Sequence, residues 1–197
     1  FKALGVNLTL PSAYSLFKKD DQNKLWFQRE TKKGSVNFLT YTLPIISQQI
    51  TLEKANLIIK SAIDKAREIK INPIMVVLLD HRGAIKACTG EDGISSLRFQ
   101  IAHGKANGAF QMGMGSRALF NRAEQQAYFI NAVNALTDGA LVAVPGGVLI
   151  KDKNNNVVGS LGISGDTSDN DEIAAVAGIE AAGYKADVCL LYTSDAA

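Results

Sequence analysis

Two stretches of this chain each read as strand, tight turn and return strand, and that pair of hairpins restricts the fold more than any other feature. Residues 74–79 are an unbroken apolar run of strand length, Asp80-His81-Arg82-Gly83 reads as a turn, and residues 84–89 run back. Residues 148–151, a polar turn at 152–156 and residues 157–163 repeat the arrangement. Hairpins impose antiparallel pairing, so a doubly wound parallel sheet is excluded and both hairpins are expected in a single antiparallel sheet.

The segments around them read as helices. Leu52, Ala55, Ile59, Ala62, Ile63, Ala66 and Ile69 recur every three or four residues and predict an amphipathic helix over 51–69. Thr51 caps its start, Glu53 favours the positive end of its dipole, and Asn72-Pro73 stops it. A second helix is predicted over 95–111, with Leu97, Ile101, Ala102, Ala106, Ala109 and Phe110 on a broad apolar side. Gly104 and Gly108 each cost that helix about 1 kcal/mol of propensity. Something must therefore approach it closely, either another backbone or a flat ligand. A third helix over 124–135, a short strand at 140–144 ended by Pro145-Gly146-Gly147, and a last helix from 168 to a capping Gly183 complete the pattern. The last helix is lined by Ala174, Ala177, Gly178 and Ala181, small enough for close packing. The class is α+β, an antiparallel sheet flanked by helices.

With 197 residues, 47% of them apolar and 20% charged, the chain can bury one ordinary core. Residues 1–44 carry a net charge of +4 against −2 for the remainder and keep no helix or strand period for long. They are expected to be an irregular extension, with the domain at 45–184 and a tail at 185–197, both ends adding little to the core. The overall charge of +2 gives no footprint for nucleic acid, since the basic residues near Trp26 and Phe27 are few and scattered. No apolar run approaches a membrane span, and no N-terminal segment has the order of a secretory leader. The expectation is a soluble, cytoplasmic protein with neither nucleic-acid nor membrane partners. Two cysteines, Cys88 and Cys189, exclude a disulfide framework or a Cys-rich metal site, and Cys88 on its strand reads as a small buried hydrophobe.

The motifs admit competing readings. Gly159, Gly162 and Gly165 stand at G-x-x-G-x-x-G spacing, neither the dinucleotide fingerprint nor a P-loop, and Asp166 and Asp169 would repel a phosphate. Close packing explains these glycines more simply than a ligand pocket does. Gln111-Met112-Gly113-Met114-Gly115-Ser116 is either an anion-holding backbone or a flexible helix exit, and Met112 and Met114 either soft ligands or helix-end packing. Asp166, Asp169, Asp171 and Glu172 are either a hard-cation group or a charged first turn. His81 lies in the tight turn, where an exposed polar residue is expected. His103, two residues before Lys105 on the glycine-bearing helix, is the better candidate for ligation or proton transfer, against a surface histidine as the simpler alternative. Catalytic and metal-ligating residues remain unassigned.

Taken in order, the helix at 51–69, Val76-Val77-Leu78-Leu79-Asp80, the 102–109 segment with Lys105-Ala106, Pro145-Gly146-Gly147-Val148, Val158-Gly159-Ser160-Leu161-Gly162-Ile163-Ser164-Gly165 and Asp171-Glu172 before an alanine-rich helix resemble the haem-degrading domain family, the GlcG- and HbpS-like proteins. The resemblance covers roughly residues 50–183. It implies a compact α+β domain resembling PAS and profilin-like folds, assembled as dimers or larger rings, with homo-oligomers also suggested by the small-residue helix faces. His81 departs from the Asp-Ala-Gly-Gly turn common in relatives. The resemblance implies a haem- or tetrapyrrole-binding protein, a sensor or carrier, with haem as cofactor. A flat ligand would lie at the 95–111 helix, His103 its nitrogen ligand, Gly104 and Gly108 admitting the macrocycle, and Arg98 and Lys105 meeting its propionates. The alternatives are an enzyme acting on a small carboxylate held by Arg98 or Lys105, and a non-catalytic assembly module.

Overall fold

The computed structural model describes the backbone of five short strands before residue 43 and the continuous stretch 49–188. The chain divides into two compact units, Phe1–Ile46 and Ser47–Ala197. In the first, β1 (Lys2–Ala3) pairs with β2 (Val6–Asn7), while β3 (Ser15–Lys19), β4 (Lys24–Glu30) and β5 (Val36–Thr42) form an antiparallel meander. β4 and β5 keep an unbroken register from Lys24↔Thr42 to Glu30↔Val36. The expected irregularity of 1–44 thus gives way to strands.

The second unit begins with α1 (Leu52–Glu68), capped by Thr51, whose Oγ1 accepts from the Lys54 amide at 3.2 Å. β6 (Met75–Asp80) and β7 (Ile85–Gly90) are the first hairpin. Asp80 closes its turn by accepting from the Arg82 and Ala84 amides and from the Arg82 guanidinium. α2 (Arg98–Met112) ends at Gly113, whose φ of 66° lets its amide return to the last turn. α3 (Ser116–Gln125) and α4 (Ala127–Leu136) follow, then the second hairpin β8 (Gly147–Lys151) and β9 (Val157–Ser164). α5 (Ser168–Ala181), capped by Thr167, and β10 (Lys185–Asp187) complete the unit.

Both hairpins join one antiparallel sheet in the order β10-β8-β9-β6-β7. Alternation along the strands divides it into two faces. Val76, Leu78, Val148, Ile150, Leu161 and Ile163 meet α1 and α5, which present Ile58, Ile59, Ala62, Ala174 and Ile179. Met75, Val77 and Leu79 meet Ala102 and Ala106 of α2 on the opposite face. A smaller cluster of Leu119, Ile130 and Leu141 lies under α3 and α4, and Met112 and Met114 pack against it, so they serve helix-end packing.

Four expectations need correction. Residues 140–144 form no strand: the Val142 amide donates to the Gly104 carbonyl of α2 instead of to a ladder. The helix predicted over 124–135 is α4, and an unpredicted helix, α3, precedes it, its start hidden by the glycines at 113 and 115. The segment after 184 supplies an edge strand, Lys185↔Lys151 to Asp187↔Leu149, tied by a Lys151–Asp187 ion pair; three residues are too few for a readable period. Cys88 is exposed, because β7 is an edge strand that α2 leaves uncovered. Cys189 and the rest of the tail lie outside the described residues.

Candidate functional site

α2 lies on the sheet with almost no spacer. A Cβ at Gly162 would fall on the Ala102 carbonyl oxygen, and one at Gly147 on the Lys105 carbonyl oxygen. The glycines of β9 therefore serve close packing, which removes the nucleotide reading. Held this near, α2 distributes its side chains over three directions, and the five residues proposed as a haem site do not converge.

Gly104 and Gly108 face the 141–142 segment. A Cβ at Gly104 would stand 2.6 Å from Val142 Cγ2, and one at Gly108 3.0 Å from Leu141 Cγ. Neither a macrocycle nor a second helix uses the close approach they allow; the chain's own segment does. Asn107 secures that segment by donating to the Ala140 carbonyl at 2.8 Å.

Lys105 and Arg98 point toward the end of β9 and the start of α5. Lys105 is 2% exposed, and its Nζ donates to Asp171 Oδ2 at 2.8 Å. Asp171 Oδ1 accepts from the Asp166 amide. Burial lowers the Lys105 pKa and raises that of Asp171, each opposed by the charge of its partner. Alongside, Arg117 Nε donates to Glu172 Oε1 at 2.7 Å and its Nη2 reaches Asp169. Glu172 is 8% exposed, and burial raises its pKa against the pull of Arg117. Its Oε2 has no partner among the described residues. Arg98 donates to Ser164 Oγ at 3.2 Å. Asp171 and Glu172 thus belong to the charged first turn that the sequence suggested, and are in addition buried partners of cations. Among the described residues no group of three or more His, Cys, Asp or Glu has metal-binding geometry. The signal in the sequence was a lysine between Ala102, Ala106 and Ala109: a charge on a small-residue, sheet-facing stripe requires a buried counter-charge.

His103 takes the third direction. Phe99, one turn before it, packs with Met75, Val77 and Ile94, and stacks on the imidazole with centroids 6.1 Å apart and planes 19° apart. Phe110, two turns after it, lies against Gly83 in the β6–β7 turn. His103 sits on the same stripe, half-buried, on the flank nearest the sheet edge. Register places Cys88 opposite Val77, so its side chain emerges on the α2 face of β7, where it is exposed. His81 is half-buried rather than free in its turn, and its Nδ1 has no partner among the described residues. A half-buried imidazole stacked on an aromatic ring can ligate a soft or borderline metal and stack against a flat apolar ligand. The sequence pointed to His103 but not to Phe99 as its support.

The fold falls in a known class. A family model described as haem degrading protein HbpS-like matches residues 50–180. The chain belongs to that HbpS-like family. A second model, a domain of unknown function (DUF4837), matches residues 1–67. Among solved structures, PduOC in complex with haem is similar at TM-score 0.63 and 20% identity, covering 69% of this chain and 96% of that one. The Klebsiella pneumoniae protein ORFY matches at 0.62 and 23%, over 72% and 97% of the two chains. A doubly substituted HbpS from Streptomyces reticuli matches at 0.58 and 24%, over 68% and 87%. At these identities the likeness is one of fold. No curated protein sequence matches the chain significantly.

Proposed function

We propose that the protein binds haem or a related tetrapyrrole, as a sensor or carrier, on the flank of α2 that carries His103. The observation that supports this most is the half-buried imidazole stacked on Phe99. His103 would hold the iron, and Phe99 and Phe110 would offer apolar contact to the macrocycle. Haem, when bound, supplies a redox-active iron centre. The surrounding chain keeps one imidazole on a rigid helix and leaves its outer side open. A PduOC–haem complex with the same fold supports the reading by analogy. The Arg98 and Lys105 roles narrow accordingly: Lys105 is committed to Asp171, while Arg98, whose side chain bonds only to Ser164 among the described residues, keeps the freer guanidinium. That commitment also disfavours a small-carboxylate site built on Lys105.

The test is a haem titration followed by absorbance, on wild type, His103→Ala, His81→Ala and Cys88→Ser. Saturable binding with a shifted Soret band is expected, lost or displaced in His103→Ala and unchanged in the other two. Absence of saturable binding in the wild type, or an unaltered spectrum in His103→Ala, would overturn the assignment. Loss confined to Cys88→Ser or His81→Ala would move the ligand to that residue.

A further inference from the structure

α1, α2 and α5 each bury five residues or more, whereas α3 buries only Ser116 and Leu119, and α4 only Ile130. The two short helices are tied to each other. Arg122 Cζ of α3 stands 3.8 Å from the centroid of the Phe129 ring of α4, and its Nε donates to Gln126 Oε1 between them. Leu119 and Ile130 meet in one small cluster. Left-handed backbone bounds the pair on both sides: Gly113 at φ 66° before α3, and Asp138 at 52° with Gly139 at 78° after α4. A Cβ at Gly113 or Gly139 would meet nothing within 4 Å, so neither glycine is there for close packing. Both stand at helix ends, where hinges lie. Beyond α4 the chain is fixed again, since Ala140 and Val142 are bonded to α2. Few buried residues between two permissive ends mark a segment that opens more readily than the core.

Polar contacts hold the pair down. The Gly147 amide donates to Ser116 Oγ at 2.6 Å, close to the first pivot. Among the described residues, Arg117 makes the only ion pairs that join α3 and α4 to the rest of the unit, reaching Asp169 and Glu172 of α5. The Glu172 side chain lies inside Arg117, at 11% exposure against 35%, and its Oε2 is buried without a partner among the described residues. An ionised oxygen there has neither water nor a donor, the costly condition for a buried charge. We propose that α3 and α4 form a lid, hinged at Gly113 and at Asp138-Gly139 and latched by Arg117 on Glu172, and that ionisation of Glu172 opens it. The charged groups around Glu172 are Arg117 from α3, Asp169 and Asp171 on α5, and Lys105 from α2, itself held by Asp171. Arg117 draws the carboxyl toward ionising and burial resists, and burial prevails in the closed form. Lifting the lid brings water to Oε2 and returns the group toward the ordinary glutamate value of about 4.3. The open form therefore holds the proton less tightly, so rising pH favours opening and falling pH favours closure.

The experiment is hydrogen–deuterium exchange of the full chain, read by mass spectrometry at several pH values and corrected for intrinsic rates. It compares wild type, Arg117→Gln, Asp169→Asn and Glu172→Gln. Amides of residues 116–136 should exchange together, at least about 100-fold faster than those of β6 and β9, which report the intact core. Arg117→Gln should speed exchange over 116–136 about tenfold and leave β6 and β9 unchanged. Asp169→Asn loosens only the exposed end of the latch and should speed it less. In the wild type, opening should grow at least about threefold between about pH 5 and 8, and in Glu172→Gln it should stay level. Exchange over 116–136 no faster than in the core strands overturns the lid. Acceleration by Arg117→Gln that spreads equally over β6 and β9 overturns the latch, and a pH response that persists in Glu172→Gln overturns the trigger.

Discussion

α2 has two flanks of opposite character. On one, Gly104, Gly108 and Lys105 are sealed by Val142, Leu141 and Asp171, and every close approach is made by the chain itself. On the other, Phe99 stacks on a half-buried His103, and Phe110 lies against Gly83 in the β6–β7 turn. The residues that look most chemical in the sequence are split between the two. A lysine and two glycines in a helix signalled a ligand as readily as a histidine did, yet they serve the architecture. What separates the flanks is whether neighbouring chain fills the space, and that depends on where the 141–142 segment and α5 pack, which helix periodicity does not reveal. The two flanks should therefore respond oppositely to substitution: the sealed one in stability, the open one in binding.

The largest effect is expected at the ion pair. Lys105→Ala leaves the Asp171 carboxylate buried and unpaired, and should cost about 3–5 kcal/mol in urea unfolding. Replacing both partners by apolar residues of similar size, Lys105→Met with Asp171→Leu, should recover most of that loss, because the cost lies in the orphaned charge. If the double variant proves as unstable as the single one, the pair has a further role beyond mutual compensation. If Lys105→Ala unfolds at the wild-type midpoint, the sealed flank is not sealed.

Next comes the contact of α2 with the sheet. Gly162→Ala would drive a methyl group onto the Ala102 carbonyl oxygen, which belongs to a helix and cannot turn aside. A loss of about 1–3 kcal/mol or more is expected. Gly104→Ala should cost less, since its neighbour is a valine side chain with room to rotate. Equal losses at the two positions would mean that α2 can lift from the sheet as easily as Val142 moves.

The hairpins, the capped α1, and the α+β class were legible because each depends on local signals: period two, a turn such as Asp80–Gly83, a Thr51 cap. The register that joins β9 to β6, and with it the central position of the second hairpin, is a long-range pairing that no local signal encodes. Of the site, His103 was legible as an uncommitted imidazole on a helix. Asp171 and Glu172 were legible as part of a charged first turn but not as buried ion-pair partners, because an acidic first turn looks the same whether it faces water or Lys105 and Arg117. β10 was missed because three residues carry no pattern, and its strand character comes from the open edge of β8.

A smaller effect with a distinct pH signature is expected at Glu172. Burial raises its folded-state pKa above the ordinary glutamate value of about 4.3, so the fold favours the protonated form. The group then contributes stability below the unfolded pKa, and that contribution is lost as pH rises through the folded pKa. Glu172→Gln retains an oxygen for Arg117 Nε and removes the buried charge. Its stability should decline less than that of the wild type as pH rises from about 4 toward neutrality. Parallel curves for the two proteins would show that the carboxylate is better solvated than its burial indicates.

The smallest stability change is expected at His103, and it most sharply separates the two flanks. The imidazole is half-buried, makes no hydrogen bond among the described residues, and contributes a stacked contact with Phe99 and little else. His103→Ala should therefore shift unfolding by no more than about 0.5–1.5 kcal/mol, the range of one aromatic contact. Alanine is also the better helix former, which offsets part of that loss. A conservative His103→Phe should keep the stacking and leave unfolding nearly unchanged while still removing the nitrogen ligand. Measured beside Lys105→Ala, these two variants give the contrast directly: a large loss of stability from the sealed flank, and almost none from the open one. A loss at His103→Phe as large as that at Lys105→Ala would mean that the imidazole is a structural hydrogen-bonding group, and the open flank would then have no residue left free to bind.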